Sequence, residues 1–152
     1  MNALDRGNAV ALAVPALLMA GALGSQYIGG LYPCEMCYWQ RWPHYVAIVL
    51  ALLGFFLNSP ARNVTIALAG LAVLTSGGVG VFHAGVEYHW WAGLTTCSST
   101  AAGSSLQDLM RAPLIRCDTA QWTLGGISLA GFNALFSIMG GLTILGLVRN
   151  AK

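Results

Sequence analysis

Four apolar runs, parted by three polar interruptions, make up most of this chain. From Asn8 to Ile28 it reads NAVALAVPALLMAGALGSQYI, without an ionisable group. That meets the about 20 residues a helix needs to cross a bilayer, and the kink expected at Pro15 is one a membrane helix tolerates. A second run, Trp42 to Leu57, is 16 residues long. Pro43 falls in its first turn, where a missing N–H costs little, so the regular helix is expected to begin near there. The third run, Asn63 to Phe82, is rich in Ala, Leu, Val and Gly, and the fourth, Thr123 to Val148, is long enough to span with some tilt. The pattern predicts an all-α fold: a polytopic membrane four-helix bundle, one domain over 1–152, with spans at roughly 8–28, 42–57, 63–82 and 123–148.

Composition agrees with that assignment. Hydrophobic residues make up 57% and charged residues 8%, and mean hydropathy is +0.67. A soluble domain carries about 25% charged residues, so this chain cannot coat a water-facing surface. A net charge of +2 with no basic stripe excludes a nucleic-acid partner. Ala20-Gly21-Ala22 resembles a signal-peptide cleavage site behind Arg6. Because apolar character continues to Ile28, the first run is expected to be kept as a span.

With four spans, both termini face one side, and the first and third connections, 29–41 and 84–122, face the other. Arg6, Arg62, Arg149 and Lys152 lie on the terminal side, against Arg41, Arg111 and Arg116 on the other. The positive-inside bias is thus shallow. All five Trp (39, 42, 90, 91 and 122) flank the two long connections, an interfacial belt on one face. The cysteines decide the direction. All four lie in those connections, and disulfides persist outside the cytosol. The loops are therefore expected outside and the termini cytoplasmic. Within the third connection, Ser105-x-x-Asp108 is a helix-start signature, and Leu106, Leu109 and Met110 follow at helical spacing, which suggests a short surface helix.

Cys34-Glu35-Met36-Cys37 is a redox spacing. Bridging residues three apart closes almost no loop and stabilises little, which speaks against a passive staple. As half of a zinc site the pair lacks a matching Cys or His pair elsewhere, and no metal is expected. Cys37 is the better candidate for the reactive thiolate, being nearer the positive end of the second helix and four residues before Arg41. Cys97 and Cys117 enclose about 20 residues, for which chain entropy gives about 3 kcal/mol. A staple would account for them alone, but beside a reactive pair on the same face exchange is the better reading.

Dithiol oxidation releases two electrons that need an acceptor. The chain has no nucleotide fingerprint. His44, His83 and His89 could supply haem ligands, although a hydrogen-bonded interfacial His is the commoner case. A quinone dissolved in the lipid bilayer suits better, with Arg41 as donor to its carbonyl oxygen; the alternative role for Arg41 is lipid-headgroup anchoring.

The combination Cys34-x-x-Cys37-x-x-x-Arg41, then His83-x-Gly85-Val86-Glu87, then Cys97…Cys117, in that order among four spans, resembles the DsbB family of disulfide-forming membrane proteins. The resemblance covers nearly the whole chain. It implies a protein-disulfide:quinone oxidoreductase of the bacterial inner membrane, with periplasmic cysteine loops. Cys97 would receive electrons from a reduced DsbA-like thioredoxin-fold partner, Cys117 would exchange with Cys34, and Cys37 would pass electrons to ubiquinone or menaquinone. Arg41, with His44 and Glu87, would form the quinone site. Gln40 stands where some relatives carry an acid, and the 97–117 loop is somewhat short. One alternative is a vitamin-K-epoxide-reductase-like protein, in which the CxxC follows the loop cysteines; another is a small membrane scaffold with two structural disulfides.

Overall fold

A computed structural model describes residues 2–94, 98–99 and 114–151. Its helices are α1 (Ala3–Tyr27), α2 (Glu35–Gly54), α3 (Ala61–Glu87) and α4 (Leu129–Arg149). Central α3 packs against α2 and α4, and α1 closes the bundle against α2 and α4. Among the described residues three helices, α1, α3 and α4, are long and apolar enough to cross a membrane. In α2 the first half carries Gln40, Arg41 and His44, all buried, while Val49 and Leu53 on its outer face are half exposed. Outward apolar residues such as Leu17 (72% exposed) and Phe56 (84%) would form an unstable surface in water and a suitable one in lipid.

Small residues let α3 and α4 approach closely. A Cβ at Gly77 would stand 2.8 Å from Ile138 Cγ1, and one at Gly80 would stand 3.0 Å from both Ala134 N and Asn133 Nδ2. On the terminal side, an Asn2–Asp5 capping box starts α1, and Arg62 at the start of α3 pairs with Asp5 at 2.8 Å.

Helix limits differ from the apolar runs where polar residues point inward. Instead of starting near Trp42, α2 begins at Glu35, with Cys34 as its N-cap. Pro43 therefore lies inside the helix. Ser76 Oγ of α3 donates to the Gln40 carbonyl (2.8 Å), one residue along from the Trp39 carbonyl that Pro43 leaves without its helical donor. Helix α3 continues past Phe82 to Glu87 because His83, Gly85 and Val86 turn inward. The stretch read as the start of the fourth span is instead a hairpin of β3 (Thr123–Leu124) and β4 (Ile127–Ser128), following the short antiparallel pair β1 (Ser98–Ser99) and β2 (Leu114–Ile115). Gly125 and Gly126 both have positive φ (60° and 81°), as a tight two-residue hairpin turn demands. Tyr88 Oη fastens that hairpin to the end of α3, donating to Gly126 O and accepting from Ser128 N, each 2.9 Å. The surface helix expected near 105–110 lies outside the described residues, as does Cys97.

Candidate active site

The first turn of α2 and the last turns of α3 meet at one end of the bundle. Cys34 caps α2 by accepting the Cys37 N–H at 3.3 Å, which folds the Cys-x-x-Cys back on itself. The two sulfurs, both thiols, then lie 2.8 Å apart. His83 Nε2 stands 3.5 Å from Cys34 Sγ. Cys34, Cys37 and His83 offer donor atoms within 4.8 Å of one another, a three-ligand cluster in outline. Two thiolates on one tetrahedral zinc, at about 2.3 Å each, would stand well over 3 Å apart. The observed spacing is that of a dithiol ready to close.

Against the pair packs the described end of the third connection, with Ile115 and Cys117. Cys117 is buried in one cluster with Cys34, Met36, Val86 and Ile115. Gln121 Nε2 ties the third connection to the first by donating to Tyr32 O (2.6 Å). Beside Cys117, Arg116 grips Asp118 through two N–H···O bonds of 2.8 and 2.6 Å, and the guanidinium pulls the Asp118 carboxyl down to about 2. The neighbouring Cys37 sulfur, followed by burial, pushes the Cys34 thiol upward from its ordinary value.

Two cavities meet at this centre. The smaller, ≈ 60 Å³, lies under the connections and is bordered by Cys34, Cys37, His83, Glu87 and Arg116. The larger, ≈ 380 Å³ and mostly apolar, lies between α1, α2 and α4 and is bordered by Cys37, Arg41, His44, Asn133 and Phe136. Cys34 borders the smaller cavity alone, whereas Cys37 borders both. Arg41 also borders both; it donates to Gln26 Oε1 (2.6 Å) and Ala22 O (3.2 Å) of α1 and lies over the Tyr38 ring, 5.4 Å from its centroid.

A polar seam runs through the bundle beside the larger cavity. Asn133 Nδ2 donates to Gln40 Oε1 (2.8 Å) and to the Ser76 carbonyl (3.2 Å), while its Oδ1 faces His44 Nε2 (2.9 Å). Gln40 Nε2 donates to Met36 O (3.2 Å) and faces His83 Nδ1 (2.7 Å). His44 is 2% exposed and its Nδ1 has no hydrogen-bond partner.

Of the residues singled out in the sequence, Cys34, Cys37, Cys117 and Arg41 gather here. His44 borders the larger cavity. Glu87 borders only the smaller one, its Oε1 3.7 Å from His83 Nε2. Ser76, Asn133 and Gln26 gave no motif in the sequence, and Gln40 stood out only as the neighbour of Arg41. The available signal was a polar side chain inside an apolar run, which is a functional pointer in its own right.

The family model described as "Disulfide bond formation protein DsbB" matches residues 5–147. "Disulfide bond formation protein B" of Verminephrobacter eiseniae is 32% identical, covering 94% of this chain and 85% of that protein. The protein of the same name from Marinobacter nauticus is 29% identical over 86% of this chain and 82% of its own length. That of Chromohalobacter salexigens is 41% identical over a shorter stretch, 47% of this chain and 41% of its own length. No solved structure matches the chain.

Proposed function

The chain belongs to the DsbB family, a membrane disulfide-generating oxidoreductase, and from that premise we propose that its two cysteine pairs relay electrons from a thioredoxin-fold dithiol partner to a membrane quinone. The supporting observation is the position of Cys37, the one described cysteine bordering both the loop-side pocket and the apolar cavity.

In this reading a partner thiolate attacks Cys97, the Cys97–Cys117 bond breaks, and Cys117 leaves as a thiolate. Cys117 attacks Cys34, the 34–117 bond forms, the 34–37 bond breaks, and Cys37 leaves with the electron pair. The partner's second thiolate attacks the partner–Cys97 bond, the freed Cys97 attacks Cys117, the 97–117 bond re-forms and Cys34 leaves as a thiolate. One feature supports the second exchange: the burial of Cys117 against Cys34. Cys37 then holds its charge at the wall of the larger cavity, next to Arg41.

The residues there suit a quinone. A cavity of ≈ 380 Å³ falls in the usual range for small-molecule sites. His44 Nδ1 is a buried polar atom lacking a partner, the Arg41 guanidinium is a fixed cation, and the Phe132 and Phe136 rings, 6.2 Å apart and stacked, form a flat apolar wall. When bound, a quinone would supply the electron sink, taking two electrons and two protons as one S–S bond forms from two thiols. Arg41 would donate to a quinone oxygen, His44 would offer Nδ1 as an acceptor to a hydroxyl of the reduced form, and Glu87, away from this cavity, would act on the loop side. In this reading the cysteine loops face the periplasm and both termini the cytoplasm, with ubiquinone and menaquinone both candidates. The test is turnover: purified protein, given a reduced thioredoxin-fold dithiol and a short-chain quinone, should consume the quinone, and the Cys97→Ser variant should lose the partner-driven rate. Absence of turnover with either quinone type overturns the proposal.

A further inference from the structure

The two buried amides of the polar seam have fixed orientations, because each donates to a backbone carbonyl, which can only accept. Asn133 Nδ2 faces Ser76 O and Gln40 Nε2 faces Met36 O. Their other contacts then acquire a direction. Asn133 Oδ1 must accept, so His44 donates from Nε2. Gln40 Nε2 must donate, so His83 accepts at Nδ1 and carries its proton on Nε2, the atom 3.5 Å from Cys34 Sγ. Every link points the same way, from His44 through Asn133, Gln40 and His83 to the sulfur, at 2.9, 2.8, 2.7 and 3.5 Å.

We propose that His83 is a positioning residue for Cys34, its tautomer set by Gln40 and Asn133, so that its Nε2–H donates to the Cys34 sulfur and favours that sulfur as a thiolate. No covalent bond is made or broken by this contact. The proton of Cys34 leaves to water through the loop-side pocket, and the N–H···S bond strengthens as the sulfur becomes anionic, since a donor to an ionised acceptor is the stronger kind. The need is physical: Cys34 is 1% exposed with another sulfur 2.8 Å away, and both features oppose its ionisation. The amides themselves do not ionise, so the seam orders protons without conducting them. This deepens the role given to Cys34 above and rests on that reading for its catalytic consequence.

Among the described residues, the groups that titrate or carry charge around His83 and Cys34 are Cys37 and Arg41 of α2, Glu87 of α3, and Cys117 and Arg116 of the third connection. Replacing Cys37 with Ser removes the closest, and the others stay constant across the variants compared.

The test reads Cys34 alkylation by iodoacetamide against pH, by mass spectrometry of the reduced full-length chain carrying Cys37→Ser. It needs neither quinone nor partner. His83→Leu should move the half-point upward by about one pH unit, so that Cys34 reacts about tenfold more slowly at any pH below it. His83→Gln, which restores an N–H at a similar reach, should recover most of the rate. Gln40→Leu leaves His83 in place but frees its tautomer, and should move the half-point the same way by less. A half-point unmoved by His83→Leu, or moved equally by His83→Gln, overturns the proposal. Should His83→Leu fail to fold, an unmoved half-point in Gln40→Leu overturns it as well. Loss of quinone turnover with the alkylation shifts intact would instead count against the relay.

Discussion

Replacing Arg41 with Ala separates a quinone-binding role from a purely structural one. In the structure the guanidinium spends two of its five N–H groups on Gln26 Oε1 (2.6 Å) and Ala22 O (3.2 Å) while bordering the apolar cavity. A hydrogen bond involving a charged group is worth about 1.5–3 kcal/mol, so losing one such bond to a quinone oxygen should raise KM for quinone by about 10- to 150-fold. The same substitution cuts the tie between α1 and α2, so some loss of thermal stability should accompany it. Gln26→Leu distinguishes the two effects: it breaks the stronger tie but keeps the cation, and its KM should rise less than that of Arg41→Ala. Arg41→Lys keeps charge but not the fork and should fall between. The assay is steady-state quinone reduction at saturating reduced partner. If Arg41→Ala leaves KM unchanged while lowering Tm, the residue is a helix tie and the quinone assignment fails.

Two further outcomes follow from packing and protonation. Gly77→Ala places a Cβ 2.8 Å from Ile138 Cγ1 and should destabilise the bundle by about 1–3 kcal/mol; Gly78→Ala, whose Cβ meets nothing within 4 Å, should be neutral or stabilising, and thermal unfolding in detergent compares them. In the reduced wild-type protein Cys34 should alkylate after Cys37 at neutral pH, being more buried and having its thiol pushed upward by the sulfur beside it. Cys34 reactivity should appear only as pH climbs beyond the ordinary thiol range of about 8.5. Equal rates for the two sulfurs at neutral pH would contradict this assignment.

The fold class was readable because lipid demands long uninterrupted apolar helices, and the runs around Ala11, Ala47, Val73 and Ile144 supply them. Helix ends were not readable where polar side chains find partners inside the bundle. His83 and Glu87 look in sequence like the start of a loop, yet they prolong α3 because Cys34 and Gln40 lie opposite them. Pro43 looks like a helix start but is carried within α2, with Ser76 bonding beside it. Gly125-Gly126 interrupts the last apolar run with a turn that hydropathy does not register. At the site, the Cys-x-x-Cys and Arg41 were visible as a local motif. The Asn133–Gln40–His83 seam was not, because its members come from three helices and lie 43 to 93 positions apart.

The claim that the two cysteine pairs trade bonds is tested most directly by disulfide mapping through one catalytic cycle. The oxidised chain, in a bilayer with quinone, is mixed with reduced partner, quenched with acid at successive times and digested without reduction. A peptide pair joined through Cys34 and Cys117 should rise and decay between partner oxidation and re-formation of the 34–37 bond. If bonds 34–37 and 97–117 are the only intrachain disulfides at every time while quinone is consumed, the relay is contradicted.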